Sequence, residues 1–118
     1  MTQQLTQLKC EPCRGDTPPF TQEEIAVYLP QVSGEWQVVD DTKLRRIFTW
    51  RGFLRSMLFV NALAYLAEQE GHHPDMHISY NRVTVELTTH AIGGLSRNDF
   101  ILAAKIDQLV AAHADGAP

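Results

Sequence analysis

Lys43-Leu44-Arg45-Arg46-Ile47-Phe48-Thr49-Trp50-Arg51-Gly52-Phe53-Leu54-Arg55-Ser56-Met57-Leu58-Phe59-Val60 is the stretch in which the apolar period changes, and that change decides the fold. Up to Trp50 the side chains alternate: Leu44, Arg46, Phe48 and Trp50 share one face, Arg45, Ile47 and Thr49 the other, as in a strand. Arg46 interrupts an otherwise apolar face. Beyond Gly52 the spacing lengthens. Phe53, Met57, Val60, Ala64 and Ala67 recur at steps of three and four, with Leu54, Leu58 and Leu66 widening the stripe, which predicts a helix. Gly71 is its natural stop, since glycine enters the left-handed conformation without a steric penalty.

Outward from this pair, Trp36-Gln37-Val38-Val39 precedes the strand across Asp40-Asp41-Thr42, a hairpin turn. A second hairpin pairs His77-Ile78-Ser79-Tyr80 with Val83–Thr89 around Asn81-Arg82. Val83, Val85 and Leu87 face inward there, and Thr84, Glu86 and Thr88 face outward. Thr21-Gln22-Glu23-Glu24 is a capping box opening a short helix that Pro30 limits. Ser96-Arg97-Asn98-Asp99 is another, opening a last helix from Phe100 to about His113. The order α-β-β-α-β-β-α predicts an α+β fold: a four-stranded antiparallel sheet with three helices packed on one face, its other surfaces open to self-association. Residues 1–20 read as a flexible leader and 21–114 as one domain.

With 118 residues, 44% apolar and 20% charged, the chain is an ordinary globular domain. A net charge of −4 and the lack of a Lys/Arg cluster exclude a nucleic-acid surface. No apolar run is long enough to span a membrane, and Met1-Thr2-Gln3-Gln4-Leu5 does not resemble a signal peptide, so a cytoplasmic protein is expected. Cys10 and Cys13 form a C-x-x-C with no strand before it and no second ligand pair. It reads as reduced thiols in the leader, with metal binding or oxidation as the alternative.

Chemistry concentrates in residues 68–99, which hold His72-His73-Pro74 and Thr89-His90. Imidazole gives and takes protons near neutral pH, so the set points to acid/base work on a small molecule. Pro74 confines His73 to extended backbone, and adjacent extended residues point to opposite sides, so His72 and His73 share a pocket only if the chain turns there. His90 comes directly off a strand end. Glu68 stands one helical turn before His72, where a carboxylate can orient an imidazole. Asp99 reads first as the cap partner of Ser96. His77 and His113 lack a constellation and read as surface residues. Three imidazoles also make a zinc set, but adjacent histidines chelate one ion poorly, and His73 and His77 straddle Pro74.

Glu68, His72-His73-Pro74, Tyr80-Asn81 with Val83 and Val85, Thr89-His90, Gly94-Leu95 and Asp99, together with Leu44-Arg45-Arg46-Ile47-Phe48, resemble the pterin-4a-carbinolamine dehydratases from about Thr21 to Leu109. The most specific element is His-His-Pro with a histidine 17 residues after its second imidazole. The resemblance implies the α+β fold read above, assembled as a homodimer or a homotetramer built as a dimer of dimers. It implies a hydro-lyase that dehydrates 4a-hydroxytetrahydropterin to quinonoid dihydropterin and so recycles the cofactor of aromatic amino acid hydroxylases. Neither metal nor organic cofactor is expected. His73 and His90 become the expected acid/base pair, His72 binds the pterin and assists, Glu68 and Asp99 orient the imidazoles, and Pro74 and Met76 flank the substrate. Met76 stands where the family often has an aromatic residue. Expected partners are the pterin itself, further copies of the chain, and an aromatic amino acid hydroxylase or another protein. The same resemblance carries an alternative, a non-enzymatic binding module: the animal protein also stabilises dimers of a homeodomain transcription factor, and certain bacterial relatives look like assembly factors. The presence of all three histidines favours the enzyme.

Overall fold

The change of period at Gly52 is a real boundary in the computed structural model, which describes residues 4–12 and 15–112. Strand β2 (Lys43–Thr49) ends just before it and helix α2 (Phe53–Glu70) begins just after it. Helix α1 (Gln22–Tyr28) and strand β1 (Gln37–Val39) precede them, and β3 (Asp75–Ser79), β4 (Arg82–Leu87) and α3 (Arg97–Ala112) follow. The strands form one antiparallel sheet in the order β1-β2-β4-β3, so α2 carries the chain across to the far edge. This is the α+β architecture expected.

Local signals behave as their chemistry requires. Thr21 Oγ1 accepts from the Glu24 N–H while the Glu24 carboxylate accepts from the Thr21 N–H, completing the first capping box. Asp40 and Asp41 both take positive φ, and the Thr42 N–H donates to the Val39 carbonyl, the tight turn that suits a twisted hairpin. The second hairpin turns one residue earlier than expected, at Tyr80-Asn81, and β3 starts at Asp75 directly after Pro74.

Leu44 and Phe48 of β2 and Val83, Val85 and Leu87 of β4 are buried against Ile25 of α1, Phe59, Val60 and Leu63 of α2, and Phe100, Ile101 and Ile106 of α3. Arg46 occupies this inner face because Asp107 of α3 neutralises it at 2.6 Å, and the guanidinium lies 4.4 Å from the Phe48 ring centre. Asp107 also accepts from Trp36 Nε1 and the Ser33 N–H, tying α3 to the start of the sheet. The opposite face carries Arg45 and Glu86 paired at 2.6 Å beside an exposed Ile47.

The leader is corrected by the described residues. Leu5 and Cys10 belong to the core, and residues 4–12 are packed on the domain rather than loose. The Lys9 ammonium donates to the Gln69 carbonyl, and the Cys10 N–H to Glu70 Oε1. Burial, reinforced by Glu70, pushes the Cys10 thiol up to about 12, so it stays protonated at neutral pH and is a poor redox or metal-binding group. Cys13 and His113 lie outside the described residues.

Two partly buried carboxylates make stability depend on acid. Burial pushes Glu70 up, but the Cys10 N–H and the Lys105 ammonium at 2.7 Å outweigh it and hold the carboxyl below its ordinary value. Glu86 is likewise held low by the Arg45 hydrogen bond, against burial and with help from Lys43. A carboxyl depressed in the folded state adds stability above its unfolded pKa of about 4.3, and that contribution is lost as pH falls through the folded value. Urea midpoints are therefore expected to fall below about pH 4.5, and less steeply in a Glu70→Gln/Glu86→Gln double variant. An unchanged acid slope in that variant would contradict this origin.

Candidate active site

Three chain ends converge on one place. Helix α2 stops in a Schellman turn: Gly71 takes φ 67°, its N–H donates to the Glu68 carbonyl, and the His72 N–H donates to the Ala67 carbonyl. That reversal delivers His72 and His73 together off the helix end. Strand β4 ends at Leu87, and Thr89 pairs with Gly94 across a tight loop whose single turn, His90–Ile92, presents His90. Gly94 is needed there because a Cβ would stand 2.7 Å from the Pro19 Cβ. The third end is the first turn of α3, which supplies Asp99.

Asp99 is fully buried and sits beneath the convergence. Its Oδ1 lies 2.6 Å from His72 Nε2, and its Oδ2 accepts from the Ser96 N–H and the Thr89 hydroxyl, each at 2.9 Å. The proton directions follow from a count. The single Thr89 hydroxyl proton goes to Asp99, so Ser96 Oγ donates to Thr89 Oγ1 at 2.8 Å and accepts from the Asn98 N–H at 3.2 Å. With Oδ2 taking two donors, Oδ1 is left for the imidazole, and the carboxylate makes His72 Nε2 the protonated nitrogen.

His73 Nε2 lies 3.0 Å from Glu68 Oε1, and His90 Nε2 lies 3.7 Å from Asp75 Oδ2. Each imidazole thus has its own carboxylate, in graded exposure: the His72 side chain is 11% exposed, His73 65% and His90 74%. The two rim pairs are wet and contribute little to stability. All three rings line one open cleft of about 240 Å³, shared with Glu11, Pro12, Thr88, Thr89 and Asn98. Among the described residues no three His, Cys, Asp or Glu side chains are grouped to hold a metal ion. No helix among those residues is long and apolar enough to cross a membrane.

The structure brings together His72, His73, His90, Glu68 and Asp99. Glu68 meets His73 rather than His72, because the Schellman turn swings the latter inward to Asp99. Met76 is partly buried against the core, in register with Val85, and neither it nor Pro74 lines the cleft. The sequence does not single out Asp75 or the Glu11–Asn98 contact, and Thr89, part of the Thr89-His90 motif, gains its role only here as a donor to Asp99. Asp75 carried one readable signal, its place directly after His-His-Pro.

A family model described as Pterin 4 alpha carbinolamine dehydratase matches residues 18–109. The chain belongs to that family. A protein of Nitrosomonas eutropha bearing the name "Putative pterin-4-alpha-carbinolamine dehydratase" is 49% identical over 106 residues, covering 90% of this chain and 93% of the relative. One of Alkaliphilus metalliredigens with the same name is 44% identical, over 88% of this chain and 94% of its own. Among solved structures, a transcriptional coactivator/pterin dehydratase from Brucella melitensis superposes with a TM-score of 0.71 at 32% identity, over 77% of this chain and 97% of that one. Membership places the chain in a family of hydro-lyases.

If Asp99 is the anchor, Asp99→Ala should cost about 3 kcal/mol, since Ser96 N–H, the Thr89 hydroxyl and the His72 ring all lose their acceptor. Thr89→Val should cost about 1–2 kcal/mol by removing one donor to a buried carboxylate. Chemical denaturation reads both, and a near-zero cost for Asp99→Ala would refute the anchor.

Proposed function

We propose that this chain dehydrates 4a-hydroxytetrahydropterin to quinonoid dihydropterin and water by histidine acid/base catalysis. The observation that carries the reading is the meeting, in one cleft, of three imidazoles each paired with its own carboxylate. Hydroxide is a poor leaving group, so the C4a–O bond breaks with proton delivery to the departing oxygen. The N5 lone pair forms the C4a=N5 bond, and the resulting cation loses a proton to a base, so the products are the quinonoid pterin and one water. His73 and His90, at the rim and in contact with solvent, are suited to give and accept these protons and to re-equilibrate after each turnover. His72, fixed by Asp99, is suited to hold the substrate. The cation that develops is favoured by the acids behind the rings.

In this reading the protein recycles a tetrahydropterin in the cytoplasm for an aromatic amino acid hydroxylase and works as a homodimer or homotetramer. Exposed Leu54, Leu58 and Tyr65 on α2 offer an apolar face for assembly. The coactivator name of the Brucella neighbour supports a second reading, a binding module acting on a protein partner.

The purified protein should accelerate loss of the 4a-hydroxy intermediate, followed by ultraviolet absorbance. His73→Ala and His90→Ala should each lower kcat by roughly 10²–10⁴, and His72→Ala should act mainly on KM. No acceleration, or an unchanged rate in His90→Ala, would sink the proposal. Capture of a defined partner insensitive to all three substitutions would favour the second reading.

A further inference from the structure

The family model begins at residue 18, yet the chain before it reaches the histidine cleft. Residues 9–12 run from the end of α2 to the start of α3, the two ends that supply His72 and Asp99. At α2 the Lys9 ammonium donates to the Gln69 carbonyl at 2.8 Å and the Cys10 N–H to Glu70 at 2.9 Å. At α3 the buried Asn98 side chain grips one residue of this strap from both sides. Its Oδ1 accepts from the Glu11 N–H at 3.0 Å, and its Nδ2 donates to the Glu11 carbonyl. The Cys10 thiol donates to the Asn98 carbonyl at 3.5 Å.

A paired amide grip fixes both the position and the orientation of a backbone. Asn98 itself is fixed, because its N–H is bonded to Ser96 Oγ, one member of the chain of hydroxyls that ends at Asp99. One turn of α3 therefore sets the buried imidazole and the strap together. Glu11, Pro12 and Asn98 all line the cleft, and Glu11 brings an acidic residue to the lining that includes His72, His73 and His90.

Resting on the dehydratase reading, we propose that Glu11 and Pro12, held in place by the strap Lys9–Pro12, form a substrate-binding wall of the cleft, that Asn98 is its positioning residue, and that the Glu11 carboxylate sets affinity by accepting from the N–H groups of the amino-bearing ring of the pterin. Bound chemistry gains from such a wall through a fixed orientation rather than through proton transfer, so its loss falls on binding. The strap touches none of the atoms that give or take protons, and kcat depends on it little.

The test uses the full-length protein, with steady-state dehydration kinetics and fluorescence titration with 7,8-dihydrobiopterin, which lacks the 4a-hydroxyl and so has no water to lose. Asn98→Ala and, separately, Glu11→Gly are expected to raise KM and the dihydrobiopterin Kd about five- to tenfold, with kcat within about twofold of the parent. Glu11→Gly lies at an exposed position and keeps the experiment decisive where Asn98→Ala fails to fold. A role confined to stability would lower the melting temperature and leave KM and Kd unmoved, which would overturn the proposal, as would a fall in kcat alone. An inactive parent that also fails to bind dihydrobiopterin overturns the dehydratase reading and the wall with it. An active parent with variants unchanged in KM and Kd overturns the wall alone.

Discussion

The buried carboxylate of Asp99 is the constraint on which the site depends. An unsatisfied charge with no exposure to solvent would cost several kcal/mol, so its surroundings must supply donors. Here they come from three segments: a backbone N–H and hydroxyl chain from the start of α3, Thr89 beyond β4, and His72 beyond α2. Satisfying one anion therefore locks three chain ends into one geometry, and the cleft is what remains between them. Sheet and helices exist to bring those ends together, and the Arg46–Asp107 pair keeps α3 seated on the sheet while they do so.

In the proposed dehydration, burial would divide labour among chemically identical rings. His72 is held deep, its ring orientation fixed by a strong, charge-assisted hydrogen bond. His73 and His90 sit at the rim, His73 within hydrogen-bond distance of Glu68 and His90 3.7 Å from Asp75, and both rings stay in contact with solvent. A proton donor must be reloaded and a base must be emptied in every turnover, and exposed rings do both quickly. A ring that grips substrate needs rigidity instead. The gradient of exposure, 11% for His72 against 65% for His73 and 74% for His90, is what the proposed roles would require.

What could be read from the sequence was local or periodic. The capping box at Thr21, the stop at Gly71 and the change of period at Gly52 each depend on residues within a turn of one another, and all were legible. At Ser96 only half of the expected box forms, Asp99 accepting from the Ser96 N–H while Ser96 Oγ accepts from the Asn98 N–H. The partners that matter most at the site are distant: His72 finds Asp99 27 positions later, and Arg46 finds Asp107 61 positions later. Arg46 therefore looked like a flaw in an apolar strand face, when its countercharge lay on a different element. Glu68 had the right spacing for an imidazole but met the neighbouring one, because a Schellman turn reorients the chain within two residues. Met76 was misplaced for a different reason. With β3 begun at His77 its phase was not fixed, and only the observed start at Asp75 shows that alternation turns Met76 to the core. The leader looked unstructured because Leu5 and Cys10 are isolated among polar residues, and the core that buries them is contributed by the far end of the chain.

The claim that a buried carboxylate fixes the deep imidazole is tested most directly by long-range ¹H–¹⁵N correlation spectra of the histidine rings at neutral pH. The account predicts that His72 carries its proton on Nε2 as a single tautomer, with a far-downfield resonance protected from exchange, while His73 and His90 exchange rapidly with water. A His72 ring that averages its tautomers and exchanges as fast as the rim histidines would contradict it.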